Sequence, residues 1–445
     1  MSGRSFYIET YGCQMNVADS ELMAGILSEA GHWPADDPAD ADIILVNTCA
    51  IRESPEDKVI QRMAQLAQRK HLRPDLVLGI TGCVPKHVGA PMAARLPDVD
   101  LVVGPDSYRR LPELIANAVA GPQVDLRMDP DETYDGALPV RAGGVNAWIT
   151  VMRGCDRFCT FCVVPYVRGR EKCVPPGRVL DEAAAAVAQG CRSVTLLGQT
   201  VNSYRFGDVG FAELLRRVAR IPGLARVRYT SPHPADFTGE VFDAMADEPP
   251  LCPHLHLPVQ SGSDTVLRRM RRGYTKGEFL GLVETIRRRL PGVSLTTDVI
   301  VGSPGESEDD FQETLRLMEE IRFDSAFMFK YSPRPKTWAW KNQEDDVAED
   351  EKGRRLREMI DLQERISGEI YRSRVGGVVE VLVEGPSRRD PSRLQGKTAD
   401  FKTVVFTTSE RTADAGDLVE VDVLEATSHT LLGRLALRGS LSLRP

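Results

Sequence analysis

Three cysteines, Cys155, Cys159 and Cys162, stand within eight residues (CDRFCTFC), directly after a strand-like apolar segment at residues 147–152. Thiolates grouped this densely can converge on one soft metal centre, either an iron–sulfur cluster or zinc. Structural zinc takes four ligands, so a zinc site here draws its fourth from elsewhere. A 4Fe-4S cluster on three thiolates instead keeps one iron open, and an open iron can bind a substrate. Inert buried thiols are the remaining reading, since free cysteines are commonly buried.

At 445 residues the chain has room for about three domains of ordinary size. Its hydrophobic content of 42% and charged content of 27% are those of a globular protein. The start, MSGRSFYIET, has no apolar core of a signal peptide, and no apolar run approaches the length of a membrane span. Nine cysteines without an export signal point to a reducing cytosol, where they serve as ligands rather than disulfides. The net charge of −8 argues weakly against a nucleic-acid partner, but a local basic patch is what meets phosphate.

Residues 1–120 alternate short apolar strands (6–10, 42–47, 76–80 and 101–103) with helical stretches such as 19–30 and 55–70. That alternation predicts an open α/β domain with a parallel sheet. Asp19 is a candidate cap for the first helix, and Ser54-Pro55 reads as an N-cap followed by a first-turn proline. Cys13 follows the first strand (YGCQMN), Cys49 the second (NTC) and Cys83 the third (TGC). In a parallel sheet the carboxyl ends of the strands share one rim, so three thiols from three strand ends can meet at a point. Gly12 and Gly82, each just before a cysteine, permit a tight turn there. Their spacings of 36 and 34 residues form no local motif, so unrelated buried cysteines remain the alternative on spacing alone.

Residues 121–140 are acidic, carry Pro and Gly, lack a hydrophobic period and read as a linker. Six strand-like segments (147–152, 193–197, 227–230, 254–257, 295–300 and 325–329) then alternate with helical stretches over residues 141–372. Six βα units predict a partial barrel, with its chemistry at the carboxyl ends of the strands. The cysteine loop follows the first of these strands. Polar or Gly-rich segments follow the others: Gly198-Gln199-Thr200, Ser231-Pro232-His233-Pro234, residues 258–263, residues 302–306 and Lys330-Tyr331-Ser332. Such segments also serve as plain turns. His233, His254 and His256 are assigned no metal, and Cys173, Cys191 and Cys252, which share no spacing, are read as structural thiols.

Residues 373–440 hold short β segments (376–383, 402–407, 418–424 and 431–435) between turn residues, predicting a small OB-like β-barrel. Arg388, Arg389, Arg393, Lys397 and Lys402 are opposed there only by Asp390 and Asp400, which suits either a solvated loop or a phosphate-contacting face.

The CDRFCTFC loop resembles that of the radical S-adenosylmethionine (SAM) enzymes. YGCQMN, NTC, TGC, the CVVPYVRGR run, TSPHP and LPVQSGS narrow the resemblance to the methylthiotransferases that act on tRNA. The last segment, with Gly396-Lys397-Thr398 and Phe401-Lys402-Thr403, resembles a TRAM domain. The resemblance covers essentially the whole chain and implies two 4Fe-4S clusters. One, on Cys155, Cys159 and Cys162, binds and cleaves SAM; an auxiliary one, on Cys13, Cys49 and Cys83, carries the sulfur. It further implies SAM contacts by Phe161, Gln199, Gln260 and Asp298, although the family's glycine-rich turn commonly ends in Glu where this chain has Gln199. The implied reaction adds a methylthio group to C2 of isopentenylated adenosine beside the anticodon. Relatives acting on threonylcarbamoyl-adenosine or on a ribosomal-protein aspartate share the same six cysteines, and a non-catalytic iron–sulfur or zinc RNA-binding protein is the alternative of a different class. Expected partners are the tRNA anticodon stem-loop, an electron donor such as flavodoxin or ferredoxin, and iron–sulfur or sulfur supply proteins. A cytoplasmic monomer without membrane contact is expected.

Overall fold

Parallel strands that are apolar throughout must be covered on both faces, and the N-terminal sheet meets that demand. The structure, a computed structural model, describes residues 3–50, 54–89, 91–141, 143–408 and 412–436. Its first sheet runs in the order Trp33–Pro34, Ser5–Tyr11, Ile43–Thr48, Val77–Gly82, Leu101–Val103 and Gln123–Asp125, with every pairing parallel. Ile43–Thr48 and Val77–Gly82 are buried at every residue. One apolar cluster around Met63, Leu66, Ile80 and Val102 covers one face, and another around Met23, Leu27, Tyr108 and Leu111 covers the other.

The first helix, Gln14–Glu29, starts directly after the first strand with Cys13 at its N-cap. Asp19, read from the sequence as a cap, is instead fully buried inside this helix, because its carboxylate has two arginine partners there. The cap expected at Ser54 falls on side chains outside the described residues. Within the segment read as a linker, Gln123–Asp125 adds a parallel edge strand to the sheet. Tyr134 buries its ring against Tyr108 and donates its hydroxyl to Pro105 O.

The central region forms six parallel strands in two groups of three. Asn146–Thr150, Ser193–Leu197 and Arg226–Tyr229 make the first, and His254–His256, Ser294–Val301 and Ser325–Lys330 the second. A parallel bridge between Val227 and Leu251 joins the groups, so the strands follow chain order around a partial barrel. Each strand is followed by helix; Phe211–Ala219, for example, buries Phe211, Leu214, Leu215 and Val218 along one stripe. Thr275 and Ser307 accept from backbone N–H groups three residues on, and Glu278 and Asp310 close the reciprocal half of each capping box.

The long helix Glu349–Arg372 leads into a closed five-stranded barrel in the order Val378–Pro386, Leu394–Thr398, Thr403–Thr407, Thr430–Leu435 and Leu418–Ala426. Leu394–Thr398, read as basic loop, is its second strand. The barrel docks on the central region at the starts of the core strands. Phe401 stacks on His254 with ring centroids 4.6 Å apart, and Arg228 Nη2 donates to Thr398 O at 2.8 Å. Lys402, only 2% exposed, reaches Asp324 at 2.6 Å and Asp400 at 2.9 Å. Lys402 and the Gly396-Lys397-Thr398 segment therefore hold the domains together, while Arg388 and Arg389 stay exposed. Among the described residues no helix is long and apolar enough to cross a membrane.

Candidate active site with two cysteine centres

The loop carrying Cys155, Cys159 and Cys162 leaves the first core strand through Gly154, whose φ of +79° and approach to Arg170 O leave no room for a Cβ. Cys155 N donates to Gly169 O at 3.1 Å, and Cys162 N to Cys159 O at 3.0 Å. Thr160 fixes the middle of the loop: its N–H donates to Met270 O at 3.1 Å and its hydroxyl to Arg269 O at 3.0 Å. Cys155 Sγ lies 3.1 Å from Thr200 Oγ1, on the rim segment after the second core strand. Arg272 Nη1 donates to Cys159 Sγ at 3.3 Å, while its Nη2 holds Pro258 O at 2.8 Å. Burial, reinforced by Cys159, pushes the Cys162 thiol up to about 12, and burial also raises Cys155 against its contact with Thr200. Thiolates in such a place need compensating positive charge, and Arg272 supplies it.

The second centre is assembled from three strand ends. Gly82, at φ +94° and against Thr48 O, turns the chain into Cys83 where a side chain would clash. Asn16 Nδ2 donates to Thr48 O at 3.0 Å, and Asn47 Nδ2 donates to Asn16 O at 2.8 Å, tying the Cys13 loop to the Cys49 loop. Thr48 Oγ1 donates to Thr81 O at 2.6 Å, tying that loop to the one before Cys83. The three cysteines line a cavity of ≈ 310 Å³ together with Asn16, Gln199, Arg168 and the apolar Val163, Val164 and Val167. A hydrogen bond with Cys49, aided by Arg168 against the opposing effect of burial, lowers the Cys13 thiol to about 6. Burial raises Cys83, with Arg168 working the other way.

The two centres share a wall. The short helix Val164–Arg168, which begins two residues after Cys162, closes the cavity of the strand-end cysteines. Beneath it Asp19 pairs with Arg153 at 2.8 Å and with Arg168 at 2.7 Å, and all three are buried. Arg168 thus points inward, whereas Arg170 is exposed and pairs with Asp156 at 2.8 Å.

The expected SAM contacts fall in different places. Phe161 lines a cavity of ≈ 230 Å³ with Ser303, Pro304 and Tyr331, which follow the last two core strands. Gln199 faces the strand-end cysteines, and its buried Oε1 has no hydrogen-bond partner among the described residues. Gln260, at φ +72°, binds Asp298 O through its backbone N–H at 2.8 Å. Asp298 lies inside its strand, where its carboxylate is 3.2 Å from His256 Nε2. His233 is lowered to about 2, mainly by burial, and its Nδ1 accepts from Ala235 N. Residues that sequence reasoning passed over are Arg153 and Arg272, neither of which sits in a recognisable spacing; Thr200 stands out in the sequence only as the end of the rim segment Gly198-Gln199-Thr200, and Asn16 only as the end of YGCQMN.

The donor sets fit clusters better than single ions. Among the described residues, no three His, Cys, Asp or Glu side chains group as they must around one ion. Thiolates on a multinuclear cluster bind separate irons and stand further apart. Each centre offers three thiols and a buried guanidinium. The cavity between Cys13, Cys49 and Cys83 also presents an orphaned amide oxygen, as expected of a wall that meets a further group.

A partial barrel with three cysteines on the loop after its first strand defines the radical SAM class. Family profiles agree: Uncharacterized protein family UPF0004 matches residues 5–104, the Radical SAM superfamily 149–318 and the TRAM domain 372–436. Among solved structures, the radical S-adenosylmethionine methyltransferase TsrM from Kitasatospora setae shares the fold, with a TM-score of 0.56 at 16% identity over 76% of this chain and 77% of that one. The tRNA-2-methylthio-N(6)-dimethylallyladenosine synthase of Chlorobium luteolum is 49% identical over 436 residues, 97% of each chain. That of Carboxydothermus hydrogenoformans is 44% identical over 442 residues, covering 98% of this chain and 100% of the relative. The chain belongs to the tRNA-2-methylthio-N(6)-dimethylallyladenosine synthase family.

Proposed function

We propose that this protein is a transferase that places a methylthio group on C2 of isopentenylated adenosine next to the anticodon of tRNA. The observation that carries the reading is the shared wall. A centre suited to radical formation and a second three-thiol centre both adjoin the short helix Val164–Arg168 in a chain 49% identical to an enzyme named for this product. Adenine C2–H is neither acidic nor electrophilic, so acid–base and nucleophilic side chains cannot functionalise it, and the hard chemistry falls to cofactors. When bound, SAM and two 4Fe-4S clusters supply radical and sulfur-transfer chemistry there.

The chain's own residues bind and orient. Cys155, Cys159 and Cys162 hold one cluster, with Arg272 balancing thiolate charge and Thr200 beside Cys155. Cys13, Cys49 and Cys83 hold the other, in a cavity lined on one side by the apolar Val163, Val164 and Val167. Phe161, Gln260 and Asp298 are the proposed SAM contacts. Gln199, facing the strand-end cysteines, is available to whatever enters between the two centres. Loop bases of RNA can be splayed out of their stack, which fits an anticodon-loop adenosine reaching a site between two domains. The small C-terminal barrel, with Arg388 and Arg389 exposed, is the proposed hold on the stem-loop backbone. A monomer working in the cytosol with a small electron donor and iron–sulfur supply proteins completes the reading.

Nucleoside mass spectrometry of tRNA tests it. Cells carrying the protein are expected to contain 2-methylthio-isopentenyladenosine, and cells lacking it only the unmodified isopentenyladenosine. An unchanged 2-methylthio peak would remove the substrate assignment.

A further inference from the structure

Arg168 is 4% exposed and divides its donors among three directions. Nε donates to Cys83 Sγ at 3.3 Å, and Nη2 donates to Asp19 Oδ2 at 2.7 Å. Nη1, buried on a side chain that lines the strand-end cysteine cavity, has no hydrogen-bond partner among the described residues. A buried guanidinium with an unused N–H group is costly unless something else accepts from it. Its anchor is equally buried: Asp19 is 0% exposed and is shared with Arg153, which stands two residues before Cys155 and lies 4.9 Å from the Tyr134 ring. Two guanidiniums against one carboxylate leave this trio with one net positive charge, facing the thiols of the auxiliary centre.

We infer that Arg168 is a positioning residue for the auxiliary cluster. It donates to the Cys83 thiolate, keeps Nη1 for an anionic sulfur group in the cavity, and with Asp19 sets that cluster's reduction potential. The inference rests on the proposed assignment of Cys13, Cys49 and Cys83 as cluster ligands. The physical cause is direct. Adding an electron makes a thiolate-bound cluster more negative, and hydrogen bonds to sulfur and nearby positive charge stabilise that reduced state. The carboxylate of Asp19 opposes the effect while fixing the orientation of the guanidinium, so the two residues pull the potential in opposite directions. Because Asp19 follows Cys13 by six residues and Arg168 follows Cys162 by six, the trio also fixes the strand-end cysteines relative to the loop of the other centre.

The test is a mediated reductive titration, followed by electron paramagnetic resonance, of the full chain carrying Cys155→Ala, Cys159→Ala and Cys162→Ala, which leaves only the auxiliary site. Arg168→Gln is expected to shift the midpoint to more negative potential and Asp19→Asn to more positive potential. Arg168→Lys, which keeps the charge but not the planar fork, is expected to shift negative by less than Arg168→Gln. If Arg168→Gln fails to take up iron, Arg168→Lys carries the reading. Midpoints that do not move, or that move in the same direction for Arg168 and Asp19 variants, overturn the inference. Failure of the parent chain itself to hold a cluster would instead count against the auxiliary-site assignment.

Discussion

The two cysteine centres are built in opposite ways. Cys155, Cys159 and Cys162 sit on one loop, tied locally through Gly169 O and Cys159 O and clamped from outside by Thr200 and Arg272. Cys13, Cys49 and Cys83 come from three adjacent strands of a parallel sheet, whose ends share one rim, and Asn16, Asn47 and Thr48 tie their loops together across those strand ends. A loop site needs little beyond its own segment and can be met on barrels with different additions. A strand-end site exists only when a whole domain has folded in register. Chemistry shared by a class can therefore reside in the first, while the use made of it is set by the second.

The largest expected effects separate the two centres. Cys159→Ala is expected to abolish both SAM cleavage and methylthio product, whereas Cys13→Ala abolishes methylthio product and spares reductive SAM cleavage. Chromatographic assay of 5′-deoxyadenosine and modified nucleoside from one reaction reads both, and methylthio product from the Cys13 variant would break the division of labour. Next, Arg272→Gln should lower the bound iron from about eight to about four per chain, one cluster's worth, because only Cys159 loses its charged donor. Loss of iron from both centres would show that they are not independent.

A third prediction concerns the docking of the small barrel rather than the centres. Lys402→Ala leaves Asp324 and Asp400 without their buried cation and should cost about 3 kcal/mol, as breaking buried pairs does, read as a lower denaturant midpoint. An unchanged midpoint would mean that the interface owes little to this pair. The pH dependence has a definite sign. Burial opposes ionisation of Asp400, but Lys402 and the Thr398 hydroxyl outweigh it and hold the carboxyl below its ordinary value. Its contribution is then complete above the unfolded value of about 4 and disappears as pH falls through the lower folded value. The stability gap between the protein and Asp400→Asn should accordingly narrow on acidification below about pH 4; a gap that widens contradicts the assignment. The smallest effect belongs to Arg170→Ala. Its pair with Asp156 is exposed, and thermal unfolding should change by less than about 0.5 kcal/mol.

How much of this was legible in the sequence follows from the same contrast. The loop centre showed in its spacing as a candidate soft-metal site, and the resemblance of CDRFCTFC to radical SAM enzymes made it a cluster site. The strand-end centre needed the inference that parallel strands share a rim, and that rim is where Cys13, Cys49 and Cys83 lie. Hidden were the charges that turn inward. Asp19, Arg153, Arg168, Arg272 and Lys402 have the composition of a solvated surface, and nothing in their neighbours along the chain announces a buried partner dozens of residues away. The strand Leu394–Thr398 was masked by the basic residues around it, and Tyr134 by the acidic segment that carries it into the core. Periodicity reports which face of an element is apolar; it is silent on long-range ion pairs.

Iron stoichiometry with Mössbauer spectroscopy after anaerobic reconstitution tests the central claim most directly, on the native chain and on two triple-alanine variants. Two centres built independently predict about eight irons per chain in the native protein, and about four, with cluster signature intact, when either cysteine set is removed. About four irons in the native protein, or loss of all iron on removing Cys13, Cys49 and Cys83, would contradict it.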